Sequence, residues 1–311
     1  MRDDPLRWCR RIFASVDVVG STAFKLHTPS NSASWAHVFK DFFDEFPTTL
    51  RASFEKMPSG LDGRPDAPMR VWKYVGDEIL FVAELDRHEA AAHHVIAFRT
   101  AITQYSRELS EGQHRHPLGL KGAVWGAGFP VMNVEVAPKL GSEERAISDY
   151  LGPCIDQGFR LCRLADQRRI PISADIMYML ATTQYPASIK LRIHCEEPQE
   201  HKGVAAPYPF FWLDRVDGGQ SEEDKILKRR EDYAPSQLMP YLQELFGRSV
   251  APLHRPFIES DPSEMFKRVP MELMKLREEL RIATVDPAAG LEAMDPDANA
   301  QTRVPPPVVG D

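Results

Sequence analysis

Residues 13–22 read FASVDVVGST, an apolar run broken by Asp17 and closed by Gly20, Ser21 and Thr22. Ile12, Ala14 and Val16 alternate with Phe13 and Ser15, the pattern of a strand buried on both faces. Aspartate is depleted in strands and costly to bury without a partner. A carboxylate at the end of a strand, followed by a small-residue turn and a helix, suits a metal-bound phosphate. The turn amides and the helix start face the phosphate, and the carboxylate holds the cation. The competing reading is a helix cap, with Ser21 or Thr22 capping a helix that begins at Ala23. This stretch alone leaves both readings open.

The 311 residues are 43% hydrophobic and 27% charged, enough apolar material for one large or two modest globular domains. A net charge of -7 argues against nucleic acid as the main partner. No apolar run of membrane-spanning length and no signal-peptide pattern occurs, so the expectation is a cytoplasmic protein without an integral membrane segment. Cys9, Cys154, Cys162 and Cys195 lie far apart and fit reduced structural thiols. The His93-His94 pair reads as a solvated helix face and His114/His116 as a loop, with no partner at metal-ligand spacing.

Downstream of the first strand, Trp35, Val38, Phe39, Phe42, Phe43 and Phe46 recur at helical spacing, and Pro47 ends or kinks that helix. This aromatic stripe reads as core. The stretch 69–85 gives two strands around Gly76-Asp77, a hairpin signal. A helix from Asp86, a strand over 118–131, a turn and helix from Tyr150, and further strands up to Val216 follow. The alternation predicts an α/β or α+β sandwich. One folded domain is expected over residues 8–217. Residues 218–311 read as a helical C-terminal extension ending in a Pro- and Asp-rich tail.

Asp77 sits at the hairpin tip directly after Gly76, and Asp17 stands three residues before Gly20. On its own Asp77 fits a turn without chemistry. As a pair, two such aspartates can converge across one sheet and, with the backbone carbonyl of Val18, hold two divalent cations, Mg or Mn. Two-metal sites serve phosphoryl transfer. The succession FASVDVVGST (13–22), KYVGDEI (73–79) and DYLGPCIDQGFRL (149–161) resembles the catalytic domain of class III nucleotide cyclases. The resemblance spans roughly residues 10–216 and implies a ferredoxin-like, palm-type βαββαβ fold. It implies metal ligation by Asp17, Val18 and Asp77, and phosphate contacts from Gly20, Ser21 and Thr22. Lys73 and Asp149 match the base-contacting positions. Asp156 stands where the family usually has a ribose-orienting asparagine. Arg160 matches the arginine that stabilises the transition state, and Lys202, in HKGVAAP, the lysine that contacts the triphosphate. Diguanylate cyclases share the GDE hairpin but lack the upstream and helical motifs. The resemblance further implies a homodimer whose sites draw residues from both protomers.

Lys73 and Asp149 look like the adenine-selecting pair of adenylyl cyclases. The Asp156 departure, the bulky Trp72 and Tyr74 beside Lys73, the long loop before Asp149 and the helical extension resemble instead the pyrimidine cyclases of bacterial antiphage signalling. The expectation is therefore UTP, then CTP, converted to the 3′,5′-cyclic monophosphate and read by a separate cyclic-nucleotide effector. ATP as substrate is the alternative. An inactive cyclase-like binding module is a second alternative, favoured only by Asp156 and opposed by the joint presence of Asp17, Asp77 and Arg160.

Overall fold

The computed structural model describes residues 7–27, 34–111, 118–136, 148–200, 207–215, 232–248 and 253–285. Its centre is a seven-stranded sheet of order β2-β3-β1-β4-β7-β9-β8. The first four of these strands are β1 (Cys9–Val19), β2 (Arg70–Val75), β3 (Glu78–Leu85) and β4 (Gly119–Phe129). The remaining three are β7 (Arg169–Ile172), β8 (Ile193–Gln199) and β9 (Tyr208–Asp214). With α2 (Ser34–Glu55) and α3 (Glu89–Glu111), the first four strands make a βαββαβ unit in ferredoxin-like order. A short ribbon of β5 (Val134–Val136) and β6 (Asp149–Leu151) precedes α4 (Pro153–Leu164). The β4–β7 pair is the parallel one, as a strand–helix–strand crossover requires.

β1 lies inside the sheet, antiparallel to β3 and to β4. That position explains why its apolar residues run continuously rather than alternating with polar ones. Phe13, Ser15 and Asp17 face α4 and the β5–β6 ribbon. Phe13 stacks on Trp125 of β4 and meets Tyr150 edge-on, and the backbone of Gly158 in α4 abuts Trp125. The other face carries Ile12, Ala14 and Val16 against α2 and α3.

Of the expected stripe in α2, Phe39, Phe42 and Phe46 are buried, Val38 and Phe43 half-buried and Trp35 exposed, and Leu50 and Phe54 extend the buried face. The helix continues through Pro47 rather than stopping there. Each buried Phe or Leu contributes about 1.5–3 kcal/mol, which together outweighs the roughly 3 kcal/mol of an interior proline.

The solvated reading of His93-His94 is wrong. Both side chains are buried, because α3 is covered by α2 and by the loop after it. His93 Nε2 stands 3.0 Å from the Asp62 carbonyl oxygen, and His94 stacks on Phe54. His114 and His116 lie outside the described residues.

Helix α5 (Ala174–Thr182) and the C-terminal helices α6 (Met239–Gly247), α7 (Glu264–Lys267) and α8 (Met271–Val285) complete the described chain. Leu238, Leu242, Phe246, Ile258 and Phe266 join the same apolar core as the sheet. No helix among the described residues is long and apolar enough to cross a membrane. The four cysteines are unpaired.

Candidate active site

β1 ends at Val19, Gly20 turns the chain with φ 86°, and α1 (Ser21–His27) follows at once. A β-carbon is disfavoured at that φ, so glycine belongs there. The helix starts at Ser21, not at Ala23, so neither Ser21 nor Thr22 caps it. Its first bond runs from Phe24 N to the Gly20 carbonyl. Ser21 is buried and Thr22 exposed. Asp17, Val18, Val19 and Gly20 form one wall of an open cleft of about 650 Å³, with Lys121 and residues 165–168 opposite.

Register places the chemistry around Asp17. Glu78 of β3 stands directly across from it on one side and Lys121 of β4 on the other. Lys121 Nζ is 3.0 Å from Asp17 Oδ2. Asp77, in the β2–β3 turn, has Lys25 Nζ at 3.9 Å. Burial pushes the Asp17 carboxyl above its ordinary pKa, the charge of Asp77 adds to this, and Lys121 opposes it. Glu78 is raised likewise, first by burial and then by Asp17 and Asp77, although Ser15 Oγ donates to it. Three carboxylates in one partly buried patch, with lysines as their counter-ions, make a hard-oxygen donor set fit for divalent cations. Cys162 of α4 packs beside Ser15, and burial pushes its thiol up to about 12, so it stays neutral.

The second cluster lies two strands away. On β2, Lys73 Nζ donates to Asp149 Oδ1 of β6 at 2.7 Å. Burial alone would raise the Asp149 carboxyl. The hydrogen bonds from Lys73 and from its neighbour's amide, Tyr150 N, outweigh it and hold it below the ordinary range. Trp72 is the extra residue of a bulge between Val71 and Lys73. Its buried indole underlies the ion pair, with Lys73 Nζ 4.2 Å from the ring centre. Trp72 Nε1 donates to the Ser148 carbonyl, which fixes β6 to β2. Tyr74 points the other way, exposed and edge-on to Phe43.

Asp156 and Arg160 share one face of α4, four residues apart. Ile155, Gln157, Gly158 and Leu161 of that helix are buried. Cys162, on the inner side near Ser15, is two residues and about 200° of helix from Arg160. Arg160 thus points away from the Asp17 patch of its own chain. One protomer holds two assembled clusters, Asp17–Glu78–Lys121 with Asp77, and Lys73–Asp149, while Asp156 and Arg160 stand apart from the first. Lys202 lies outside the described residues.

Sequence reasoning missed Glu78 and Lys121. Both had a signal: each is a charged residue opposite or beside an aspartate in an otherwise apolar strand, and β-pairing register would have joined them.

No protein-family model and no curated protein matches the chain. Among solved structures, the adenylyl cyclase CyaB from P. aeruginosa is similar at 13% identity and a TM-score of 0.50, over 69% of this chain and 97% of that one. The guanylyl cyclase Cya2 is 15% identical with a TM-score of 0.47, over 70% and 96%. The guanylate cyclase domain of RhGC from Catenaria anguillulae, solved in complex with GTP, is 13% identical with a TM-score of 0.46, over 67% and 97%. With its ferredoxin-like sheet order and near-complete coverage of the CyaB domain, this chain has the α+β fold of class III nucleotide cyclases.

Proposed function

We propose that the protein is a nucleotide cyclase acting on a pyrimidine nucleoside triphosphate, UTP before CTP, to release pyrophosphate and the 3′,5′-cyclic monophosphate. The observation that carries this is the pairing of a carboxylate patch built for cations with a separate Lys73–Asp149 ion pair seated on a buried indole. Asp17, Asp77 and the Val18 carbonyl are the proposed holders of two Mg or Mn ions, which when bound lower the effective pKa of the ribose 3′-hydroxyl and neutralise the triphosphate. Gly20, Ser21, Thr22 and Lys202 take the phosphate side, and Asp156 the ribose side. Arg160, a fixed cation able to span two phosphate oxygens, spreads over the charge that develops at the α-phosphate.

The outward aim of Arg160 supports a homodimer in which the carboxylates of one protomer meet the Arg160 and Lys73–Asp149 groups of the other. Exposed Tyr74, Val75, Val134, Val136 and Leu151 supply an apolar margin around Lys73 and Asp149 that such an interface would cover. The product would act on a separate cyclic-nucleotide effector, in antiphage defence as the sequence resemblance implies.

Uracil offers carbonyl O4 and an N3–H, which suit a lysine donor and an aspartate acceptor. Cytosine offers an amino group and a bare N3, a poorer match. Adenine can satisfy both residues too, so the bulk of Trp72 beneath them is what favours the single ring. A mismatched base leaves buried polar groups unpaired, and such sites discriminate strongly. Adenylyl cyclase activity is the second reading, favoured by the intact Lys73–Asp149 pair.

The test is incubation with ATP, GTP, CTP and UTP separately, with Mg²⁺ or Mn²⁺, and identification of products by mass spectrometry. Cyclic UMP is expected as the main product. Clean conversion of ATP without pyrimidine product would return the protein to the adenylyl cyclases, and no pyrophosphate from any substrate would leave a binding module.

A further inference from the structure

We infer that His88, Glu89 and Asp261 form a second, structural site for a divalent cation of the zinc class, clasping the C-terminal segment to the start of α3. Nothing in this inference depends on the cyclase reading. His88 immediately precedes α3, Glu89 is that helix's first residue, and Asp261 lies in the turn before α7. Among the described residues, these three form the group whose ligand atoms, one from each residue, fall within 4.8 Å of one another.

The case rests on how many oxygens crowd one nitrogen. Around His88 Nδ1 stand Asp261 Oδ2 at 3.0 Å, Asp261 Oδ1 at 3.2 Å and Glu89 Oε2 at 3.2 Å. A ring N–H has one hydrogen pointing along one line, so it satisfies one of the three well. Glu89 Oε2 is buried and accepts no hydrogen bond, and Asp261 is fully buried. Two carboxylates thus converge on one ring nitrogen, with Asp261 and the Glu89 Oε2 atom buried, a costly arrangement.

A cation at the crossing point would draw one ligand atom from each residue, since these atoms fall within 4.8 Å of one another. With metal–ligand bonds of about 2.0–2.2 Å, neighbouring ligand atoms stand about 2.9–3.6 Å apart, the separations found here between Nδ1 and the oxygens. Imidazole with carboxylates suits zinc-class ions, whereas magnesium and calcium prefer all-oxygen shells. The supporting contacts are those of a held ligand set. The His88 ring stacks on Phe266 with centroids 4.4 Å apart. The Asp261 carboxylate accepts from His88 N at 2.6 Å and from Ser263 N at 2.7 Å, which fixes both oxygens. The cation would tie together residues 173 positions apart, so it would secure the C-terminal helices to the catalytic fold.

The test uses the full-length chain carrying Asp17→Asn and Asp77→Asn, which removes two of the three carboxylates of the competing patch. After chelator treatment and dialysis it is titrated with Zn²⁺ by calorimetry, its metal content is measured, and its melting temperature is followed with and without Zn²⁺. One Zn²⁺ per chain and a rise in melting temperature are expected. Glu89→Gln in the same background should fold normally, since Oε2 accepts no hydrogen bond, and should bind Zn²⁺ about tenfold or more weakly. Asp261→Asn should abolish binding; if it fails to fold, Glu89→Gln carries the test. No stoichiometric Zn²⁺ in the background chain, or unchanged affinity in Glu89→Gln, overturns the proposal and leaves an imidazolium–carboxylate clasp.

Discussion

Replacing Lys121 by methionine tests whether the carboxylate patch is a cation site without any assay of turnover. At the observed 3.0 Å, two charges attract by about 5 kcal/mol at an effective dielectric of about 20. The side chains are 31% and 27% exposed, so screening and desolvation remove most of that. The net value lies between the roughly 0–1 kcal/mol of an exposed pair and the roughly 3–5 kcal/mol lost when a buried pair is broken. About 2 kcal/mol is the expected loss, because Asp17 loses its ion pair beside Glu78 and Asp77, and the other lysine at the patch, Lys25, stands 3.9 Å from Asp77. For a chain this size that is about 4 °C in melting temperature. In chelator the variant should melt lower than wild type by this amount. Saturating Mg²⁺ should close the gap, since the metal replaces the missing charge and no longer has to displace an ammonium. The variant should therefore bind Mg²⁺ about thirtyfold more tightly, the equivalent of about 2 kcal/mol. A gap that persists unchanged in Mg²⁺ would refute the placement of the cations at Asp17, and equal melting in chelator would show that the ion pair contributes nothing.

Asp17→Ala and Arg160→Ala should each be inactive alone, but their mixture should regain about a quarter of wild-type activity, since half the dimers are mixed and each mixed dimer has one intact site of two. A mixture as inactive as its components, with subunit exchange demonstrated by mass spectrometry, would exclude shared sites. The buried His94 is held neutral, its pKa lowered to about 3 by burial and then by its neighbour His93. A depressed histidine stabilises the fold fully above its unfolded pKa of about 6.5 and loses that contribution progressively as pH falls toward the folded value. Urea midpoints of wild type should thus drop below pH 6, and His94→Leu should flatten that limb. The variant should also gain about 1 kcal/mol at pH 7, because both ring nitrogens of His94 are buried without a hydrogen-bond partner. An unchanged acid limb would mean that another group drives it.

The fold was legible where burial and period agree. The run through Asp17 reads as a strand, the hairpin at Gly76-Asp77 as a turn, and the α2 stripe as core, because each needs only local spacing. His93-His94 misled because the N-terminal half of α3 is buried all round, residues 90–99 without exception, and that depends on what lies over α3 rather than on its own residues. At Pro47 the stop, one of the two readings, does not occur, for a related reason: proline's effect is local, but the burial of Phe42, Phe46, Leu50 and Phe54 that carries the helix past it is tertiary.

The site shows the same division more sharply. Asp17, Asp77 and the Lys73–Asp149 pair are recoverable from motif spacing, since each motif is a short segment. Glu78 and Lys121 become members only through register, which sets them across from Asp17 on neighbouring strands. The direction of Arg160 is a further step removed. Its motif places it on α4, but its aim depends on which face of that helix Ile155, Gly158 and Leu161 bury. Once those are turned to the sheet, Arg160 and the carboxylates of the same chain sit on opposite sides of α4. A guanidinium and a cation patch so placed do not face one another within a single chain. If both act on one nucleotide, a second copy must bring them together, and catalysis then depends on an interface that no residue of either motif encodes alone.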